Sequence, residues 1–155
     1  MKTTSIGLSS SVSSVLHLLH RAGQCADELF AANMRDSDLT PRQYVVLRAV
    51  ADSEDPSQTT LVEKTGIDRS TLADIVRRLV ERGLLQRRRT RRDARMYAVR
   101  LTDAGSAVLK SAGPASQATD ERLLAAVPAR DRDALVNALT HIVTALTPDA
   151  AESAE

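Results

Sequence analysis

The spacing of apolar residues changes at Gly83, and this change limits the fold more than any other feature of the sequence. Before Gly83, apolar residues recur every three or four positions, which predicts an amphipathic helix over residues 68–82. These residues are Leu72, Ile75, Val76, Leu79 and Val80. After Gly83, Tyr97, Val99 and Leu101 alternate with other residues, as on one side of a strand. The sequence therefore predicts a helix followed at once by a two-stranded hairpin.

Helices are also predicted on both sides of this unit. Residues 11–34 and 130–146 each have apolar side chains at helical spacing. Thr40 is suited to cap a helix that begins at Pro41, and Gly66 is suited to end a short helix. A further helix is expected after Thr102, with a break or bend at Gly113–Pro114, because an interior proline removes a backbone donor and clashes with the preceding turn.

Arginine is concentrated between the two arms of the hairpin. Gln86 to Arg100 contains seven arginines and one acid, Asp93, which gives a local charge of +6. The whole chain has a formal net charge of +1, so the remainder sums to −5. Such asymmetry favours contact with a polyanion over a uniformly solvated surface, although a solvated charge run is the alternative.

Short helices joined by the turn "KTGID", an amphipathic helix and a basic hairpin together describe a winged helix-turn-helix. The expected fold is mainly α with a small β-hairpin wing. Duplex DNA is the polyanion best suited to this arginine cluster, because it carries one negative charge per ~1.7 Å of its axis. Aromatic residues make up only 2% of the chain, too few for the stacking platforms on which single-stranded nucleic acids bind.

Candidate DNA contacts lie at the start of the short helix, on the exposed faces of helix 68–82 and in the hairpin. They are Thr59, Thr60, Arg69, Ser70, Thr71, Asp74, Arg77, Arg78, Arg89, Arg91, Arg92, Asp93 and Arg95. Arg69 and Arg77 are suited to guanine edges, whereas threonine and serine suit phosphate or bases. Asp93 is expected to orient a guanidinium while Arg95 inserts into DNA; alternatively, Asp93 caps a turn. The sequence leaves open which arginines read bases.

Three stretches resemble the MarR-type transcriptional regulators, and the resemblance runs from about residue 15 to 146. They are "LTPRQYVVLRAV", "TTLVEKTGIDRSTLADIVRRLVERGLLQRR" and "RRDARMYAVRLTDAG". The resemblance implies a homodimer held by N- and C-terminal dimerisation helices, residues 11–34 and 115–147. Residues 40–102 would form the DNA-binding lobe and residues 103–114 a connecting helix. It also implies a pseudo-palindromic operator, and a repressor released by a small aromatic acid or its thioester.

A dimer is also indicated by the apolar stripe of the last helix, which comprises Leu135, Leu139, Ile142 and Leu146. This stripe would be too exposed in a lone winged-helix module, unless it packs within the monomer. The resemblance locates effectors between the dimerisation helices and the DNA-binding lobe. The candidates there are His17, Arg21, Gln24, Arg42 and Tyr44, which are alternatively only solvated.

Other functions have little support in the sequence. Cys25 stands among apolar residues without a second cysteine, so a buried, inert thiol is expected rather than a redox sensor. His17 and His20 lack further ligands at metal spacing, and no catalytic motif or cofactor signature is found. A protein without catalytic activity is therefore expected. A cytoplasmic location is also expected, because the N-terminus lacks a signal-like apolar run. The alternative is a winged helix used for protein–protein assembly or for non-specific architectural DNA binding.

Overall fold

The computed structural model describes residues 14–34, 37–90 and 97–147. Within these ranges the chain forms six α-helices and one antiparallel hairpin. In order they are α1 (Val15–Asn33), α2 (Pro41–Ala51), α3 (Gln58–Thr65), α4 (Arg69–Glu81), β1 (Leu85–Arg89), β2 (Tyr97–Leu101), α5 (Asp103–Ala125) and α6 (Arg132–Leu146). A 3-10 turn, Ala129–Asp131, precedes α6. The predicted fold, mainly α with a small hairpin, is confirmed.

Local sequence signals set the ends of the helices. The Thr40 hydroxyl accepts a hydrogen bond from the backbone N–H of Gln43, and the side-chain oxygen of Gln43 accepts one from the backbone N–H of Thr40. Together these bonds form a complete capping box before Pro41. Gly66 ends α3 at a φ of 68°, a left-handed conformation that glycine adopts without steric cost. Asp68 and Thr102 cap α4 and α5. Thr40, Gly66 and Thr102 act as the sequence predicted.

The core lies where α2, α3 and α4 pack together and against the base of the hairpin. Its largest fully buried side chains are Val46, Leu47, Leu61, Leu72, Val76, Leu79, Leu85 and Val99. The apolar stripe predicted for α4 supplies the inner face of that helix, with Leu72, Val76 and Leu79 fully shielded from solvent. Burying this face leaves the opposite, charged face of α4 in solvent.

Of the break or bend predicted at Gly113–Pro114, the break is wrong, because α5 runs as one helix from Asp103 to Ala125, and the bend stays a prediction. The exposed Pro114 lies between the buried Ala112 and Ala115, on a helix that packs along α1. The predicted division between residues 114 and 115 therefore coincides with no helix end.

A hydrogen bond links the far part of α5 to α1. The Asn33 side-chain amide donates to the Thr119 hydroxyl at 3.2 Å, and that hydroxyl donates to the Ala115 carbonyl at 2.8 Å. Thr119 is buried. These contacts with α1 support the part of α5 that follows Pro114, so tertiary packing offsets the local cost of the proline.

A tight joint connects the end of α4, the base of the hairpin and the start of α5. The Thr102 amide donates to the Leu84 carbonyl at 3.1 Å, and the Thr102 hydroxyl donates to the Gly83 carbonyl at 2.6 Å. Gly105 packs so closely here that a Cβ atom on it would lie 2.0 Å from the Leu84 oxygen. The glycine of "LTDAG" is therefore required by the approach of two backbones.

Apolar side chains remain in solvent along α1 and α6. Every residue of α6 from Asp133 onwards is exposed, and the helix packs mainly against the turn that precedes it. The exposed apolar residues are Val15, Leu16, Leu18, Leu19, Leu135, Val136, Leu139, Ile142, Val143 and Leu146. The alternative that the α6 stripe packs within the monomer is wrong.

Cys25 is exposed in the single chain, so the prediction of a buried thiol is also wrong. It lies on α1, a helix whose only residue buried within this chain is Phe30. Helical spacing located Cys25 near apolar neighbours but did not show whether that side of the helix is covered.

Candidate nucleic-acid interface

The N-terminus of α4 is organised by its cap. Asp68 accepts from the Thr71 amide and from the Ser70 hydroxyl, each at 2.9 Å. Hydrogen bonds from Thr71, and then from Ser70, lower the pKa of Asp68 to about 2, so the cap is a carboxylate at neutral pH. Ser70 is exposed and Thr71 partly buried. The Ser70 proton is engaged by the cap, which leaves its oxygen free to accept rather than donate.

Arg69 is the first residue of α4, and it is exposed. Within the described ranges, no carboxylate forms an ion pair with it. Helix N-termini present amide donors and the positive end of the helix dipole, which together favour phosphate and base edges. Arg69 can therefore contact DNA without first breaking an ion pair within the described ranges.

Arg77 and Arg78 have a different environment, because carboxylates of the same helix hold both. Asp74 contacts Arg77 Nη2 at 2.5 Å and Arg78 Nε at 2.8 Å. Glu81 contacts Arg77 Nη1 at 2.7 Å. The hydrogen bond from Arg77 is the main cause that lowers the pKa of Asp74. The sequence identified these arginines as exposed, and that is confirmed, but it did not reveal that they are paired.

The hairpin carries three exposed arginines on β1, Arg87, Arg88 and Arg89. Strand pairing sets Arg89 opposite Tyr97, and the guanidinium carbon of Arg89 lies 5.9 Å from the centre of that ring. This distance is within the range of a cation–π contact, which restricts the directions Arg89 can take. Arg91, Arg92, Asp93 and Arg95 lie outside the described residues, so the proposed insertion of Arg95 stays a prediction.

Arg100 belongs to the basic segment of the sequence but is tied to another part of the chain. Its Nε and Nη2 atoms donate to the two carboxylate oxygens of Asp55, the second at 2.6 Å. Next to it, the Val99 amide donates to the Pro56 carbonyl at 2.9 Å. Both contacts fasten β2 to the loop between α2 and α3. The acidic loop sequence "SEDPSQ" was the signal that could have revealed this partner.

The two threonines at the start of α3 differ in availability. Thr59 is exposed in the first turn of the helix. Thr60 is partly buried, and its hydroxyl lies 3.0 Å from that of Ser57, the residue that caps α3. Thr59 is therefore the better candidate for a contact with the DNA backbone.

The five effector candidates do not meet in this single chain. Arg21 Nη1 donates to the Gln24 side chain at 2.8 Å on the exposed surface of α1. Tyr44 instead packs on Phe30, with ring centres 5.5 Å apart. Phe30 follows His17 by thirteen residues, roughly 20 Å along a helix. Within one protomer, Tyr44 therefore lies at the far end of α1 from His17, and the predicted effector site stays a prediction.

Tyr44 lines another depression, of about 440 Å³, between α2 and α5. Two cationic side chains, Arg48 and Lys110, and the hydroxyl-bearing Ser106 line it as well. Arg48 is already paired with Asp52 at 3.0 Å.

Within residues 14–34, 37–90 and 97–147, no cluster of three or more histidine, cysteine, aspartate or glutamate side chains has the arrangement of a metal site. No helix in the same ranges is both long and apolar enough to cross a membrane.

Comparison with known proteins gives consistent matches. The model of the MarR family matches residues 37–96. The transcriptional repressor NicR of Pseudomonas putida is 32% identical over 127 residues, which cover 82% of this chain and 80% of NicR. BpsR of Bordetella bronchiseptica, whose DNA binding is regulated by 6-hydroxynicotinic acid, superimposes with a TM-score of 0.79 at 31% identity, over 86% of this chain and 95% of BpsR. The repressor CouR, bound to a 23-mer DNA duplex, superimposes with a TM-score of 0.75 at 30% identity, over 84% and 92% of the two chains.

Proposed function

Because the chain belongs to the MarR family of transcriptional regulators, we propose that it is a homodimeric repressor that binds a pseudo-palindromic operator and is released by a small aromatic acid or its thioester. The observation that supports sequence-specific DNA binding most directly is the exposed Arg69 at the start of α4, which forms no ion pair within the described ranges and is followed in the chain by the arginines of β1. In this proposal α4 enters the major groove and the hairpin contacts the flanking backbone. No catalytic role is proposed.

The homodimer is supported by the uncovered apolar faces of α1 and α6. Leu139 and Ile142 of α6 are 41% and 40% exposed, and neighbouring apolar residues continue the same surface. An exposed apolar surface of this kind favours association in water. In a two-fold dimer, the same surface of each protomer packs against that of the other. The same symmetry would set the two α4 helices about 34–36 Å apart, one turn of DNA.

We expect the Arg69→Ala variant to bind operator DNA about 5- to 150-fold more weakly, the equivalent of ~1–3 kcal/mol for a base contact. The operator is first selected from random duplexes with the purified parent, and affinity is then measured by fluorescence anisotropy at physiological salt. Arg130→Ala is the matched control, because Arg130 is 86% exposed and lies beyond α5, far along the chain from α4.

The same titrations separate the proposed function from its alternatives. Equal affinity of the parent for operator and for a shuffled duplex would favour a non-specific architectural role. Absence of binding to any duplex would favour protein–protein assembly through the basic hairpin. An unchanged operator affinity in Arg69→Ala would remove Arg69 from the reading residues.

The effector proposal rests on the BpsR ligand and on the cationic residues of this chain. An aromatic carboxylate would be held by charge-assisted hydrogen bonds from Arg21 and His17, after dimerisation has covered α1. We infer that Gln24, Arg42 and Tyr44 complete this site, with contributions from more than one protomer. The depression with Arg48 and Lys110 is the competing location.

We expect 6-hydroxynicotinic acid, or a related aromatic acid found by thermal-shift screening, to release the parent from its operator. Arg21→Ala should still bind the operator but should lose this release, because the carboxylate loses its main cation. Arg48→Ala is the matched variant and should release normally. Loss of release in Arg48→Ala alone would move the site to the depression beside Tyr44, whereas loss of DNA binding in Arg21→Ala would give Arg21 a structural role.

A further inference from the structure

We propose that Asp74 is a specificity-determining residue, a built-in counter-ion that keeps Arg77 and Arg78 from binding DNA phosphates indiscriminately. The proposal rests on operator binding through α4, as proposed above. It assigns opposite tasks to the two basic parts of the interface: the hairpin attracts any duplex, and α4 discriminates among sequences.

The contacts of Asp74 carry the proposal. Each of its two carboxylate oxygens holds a different arginine, one three residues and one four residues further along α4. Glu81 holds the other end of the Arg77 guanidinium. All four side chains are between 44% and 61% exposed, so the network covers the solvent face of the helix rather than its core.

The charge balance shows what this network does. From Arg69 to Glu81, α4 carries three arginines, one aspartate and one glutamate, so its charged face has a net charge of +1 instead of +3. A guanidinium that is already neutralised gains less from a phosphate, because counterion release drives non-specific binding. The pairs are exposed, so a well-placed base edge or phosphate can still displace the carboxylate.

The hairpin gives the contrast. Arg87, Arg88 and Arg89 of β1 are exposed, and within the described ranges none of them forms an ion pair. These arginines are the ones that supply attraction to any duplex. A helix with the same unpaired charge would add affinity for every sequence alike and would reduce the preference for the operator.

Asp74 also contributes selectivity of its own in the groove. A carboxylate accepts hydrogen bonds from the exposed amino group of cytosine, but it is repelled by the acceptor-only edge of guanine. An acceptor-only edge opposite Asp74 therefore repels its carboxylate, which is a penalty against incorrect sites. Both effects lower affinity for random DNA more than affinity for the operator.

The test compares Asp74→Asn with the parent on the selected operator and on a shuffled duplex over a series of salt concentrations. We expect random-duplex affinity to rise about tenfold and its salt dependence to steepen by about one to two released ions, because Arg78 loses its carboxylate partner and Arg77 keeps only Glu81. The ratio of operator to random affinity should fall by about tenfold or more. Asp74→Glu keeps the charge and should retain low affinity for random DNA.

Asp52→Asn is the matched control, because Asp52 forms the same kind of exposed pair with Arg48 outside α4. It should leave the ratio unchanged. The proposal is overturned if Asp74→Asn keeps the parent ratio, either because neither affinity changes or because both rise equally. If the parent itself does not prefer its selected operator, the proposed function fails and not this inference. Circular dichroism establishes that each variant keeps its helices.

Discussion

The Leu139→Glu variant is expected to be a monomer that binds operator DNA at least about a hundredfold more weakly than the parent. Leu139 lies in the apolar stripe of α6, and in a two-fold dimer both copies would bring a carboxylate into the interface. Burying an unpaired carboxylate is strongly unfavourable, so the subunits should separate. Each monomer then presents a single α4 helix, and the gain from binding two half-sites together is lost.

Asn137→Glu is the matched control, because it adds the same charge to α6 two residues away, on the opposite side of the helix. Sedimentation equilibrium at micromolar concentration measures the assembly state of both variants, and anisotropy measures their operator affinity. Dimers of Leu139→Glu with parental DNA affinity would show that α6 is not the dimer interface. Monomers of Asn137→Glu would show that the interface uses another side of the helix.

The Gly105→Ala variant is expected to lose about 3 kcal/mol or more of unfolding free energy, at the upper end of the cost of overpacking. A Cβ atom at this position would lie 2.0 Å from the Leu84 carbonyl oxygen and 3.1 Å from the Leu101 side chain. The Leu84 carbonyl belongs to the backbone and cannot rotate away as a flexible side chain can. The clash must therefore be relieved by a shift of α5 away from the hairpin. The hydrogen bonds of Thr102 to Gly83 and Leu84 should weaken with it.

Gly113→Ala provides the control within the same helix. Apart from its two chain neighbours and the backbone of its own helix, nothing lies within 4 Å of a Cβ atom built on Gly113, and alanine is the better helix former by roughly 0.5–1 kcal/mol. Urea unfolding followed by circular dichroism should therefore show a destabilised Gly105→Ala and an unchanged or stabilised Gly113→Ala. Equal stability of the two variants would mean that the joint between Leu84 and α5 adapts without cost.

Much of the fold was predictable because its signals are local. Thr40, Asp68 and Thr102 cap helices with their own side chains, and Gly66 ends one with its own backbone freedom. The period of apolar residues identified the buried face of α4, since a regular helix fixes which side chains share a side. The family was also recognisable, because its motifs are continuous stretches of sequence.

The candidate site was predictable only in part. The exposure of Arg69, Arg77 and Arg78 followed from their positions outside the apolar stripe of α4. The sequence positions did not show that Arg77 and Arg78 are held in ion pairs while Arg69 forms none within the described ranges. The spacing of Asp74, Arg77, Arg78 and Glu81 is nevertheless the spacing at which helical ion pairs form. The sequence placed Arg100 in the basic segment but did not identify its partner Asp55, which lies forty-five residues earlier in the chain.

By itself, the sequence determined where α2, α4 and α5 begin, where α3 ends, which face of α4 is buried, and where positive charge accumulates, since each depends on neighbours a few positions apart. Only the tertiary structure decided that α5 continues through Pro114, that Cys25 and the α6 stripe are uncovered, and that Gly105 admits no side chain. Those outcomes depend on which distant segments come into contact. Packing free energies between such segments exceed the local preferences of single residues, so the local pattern could not decide them.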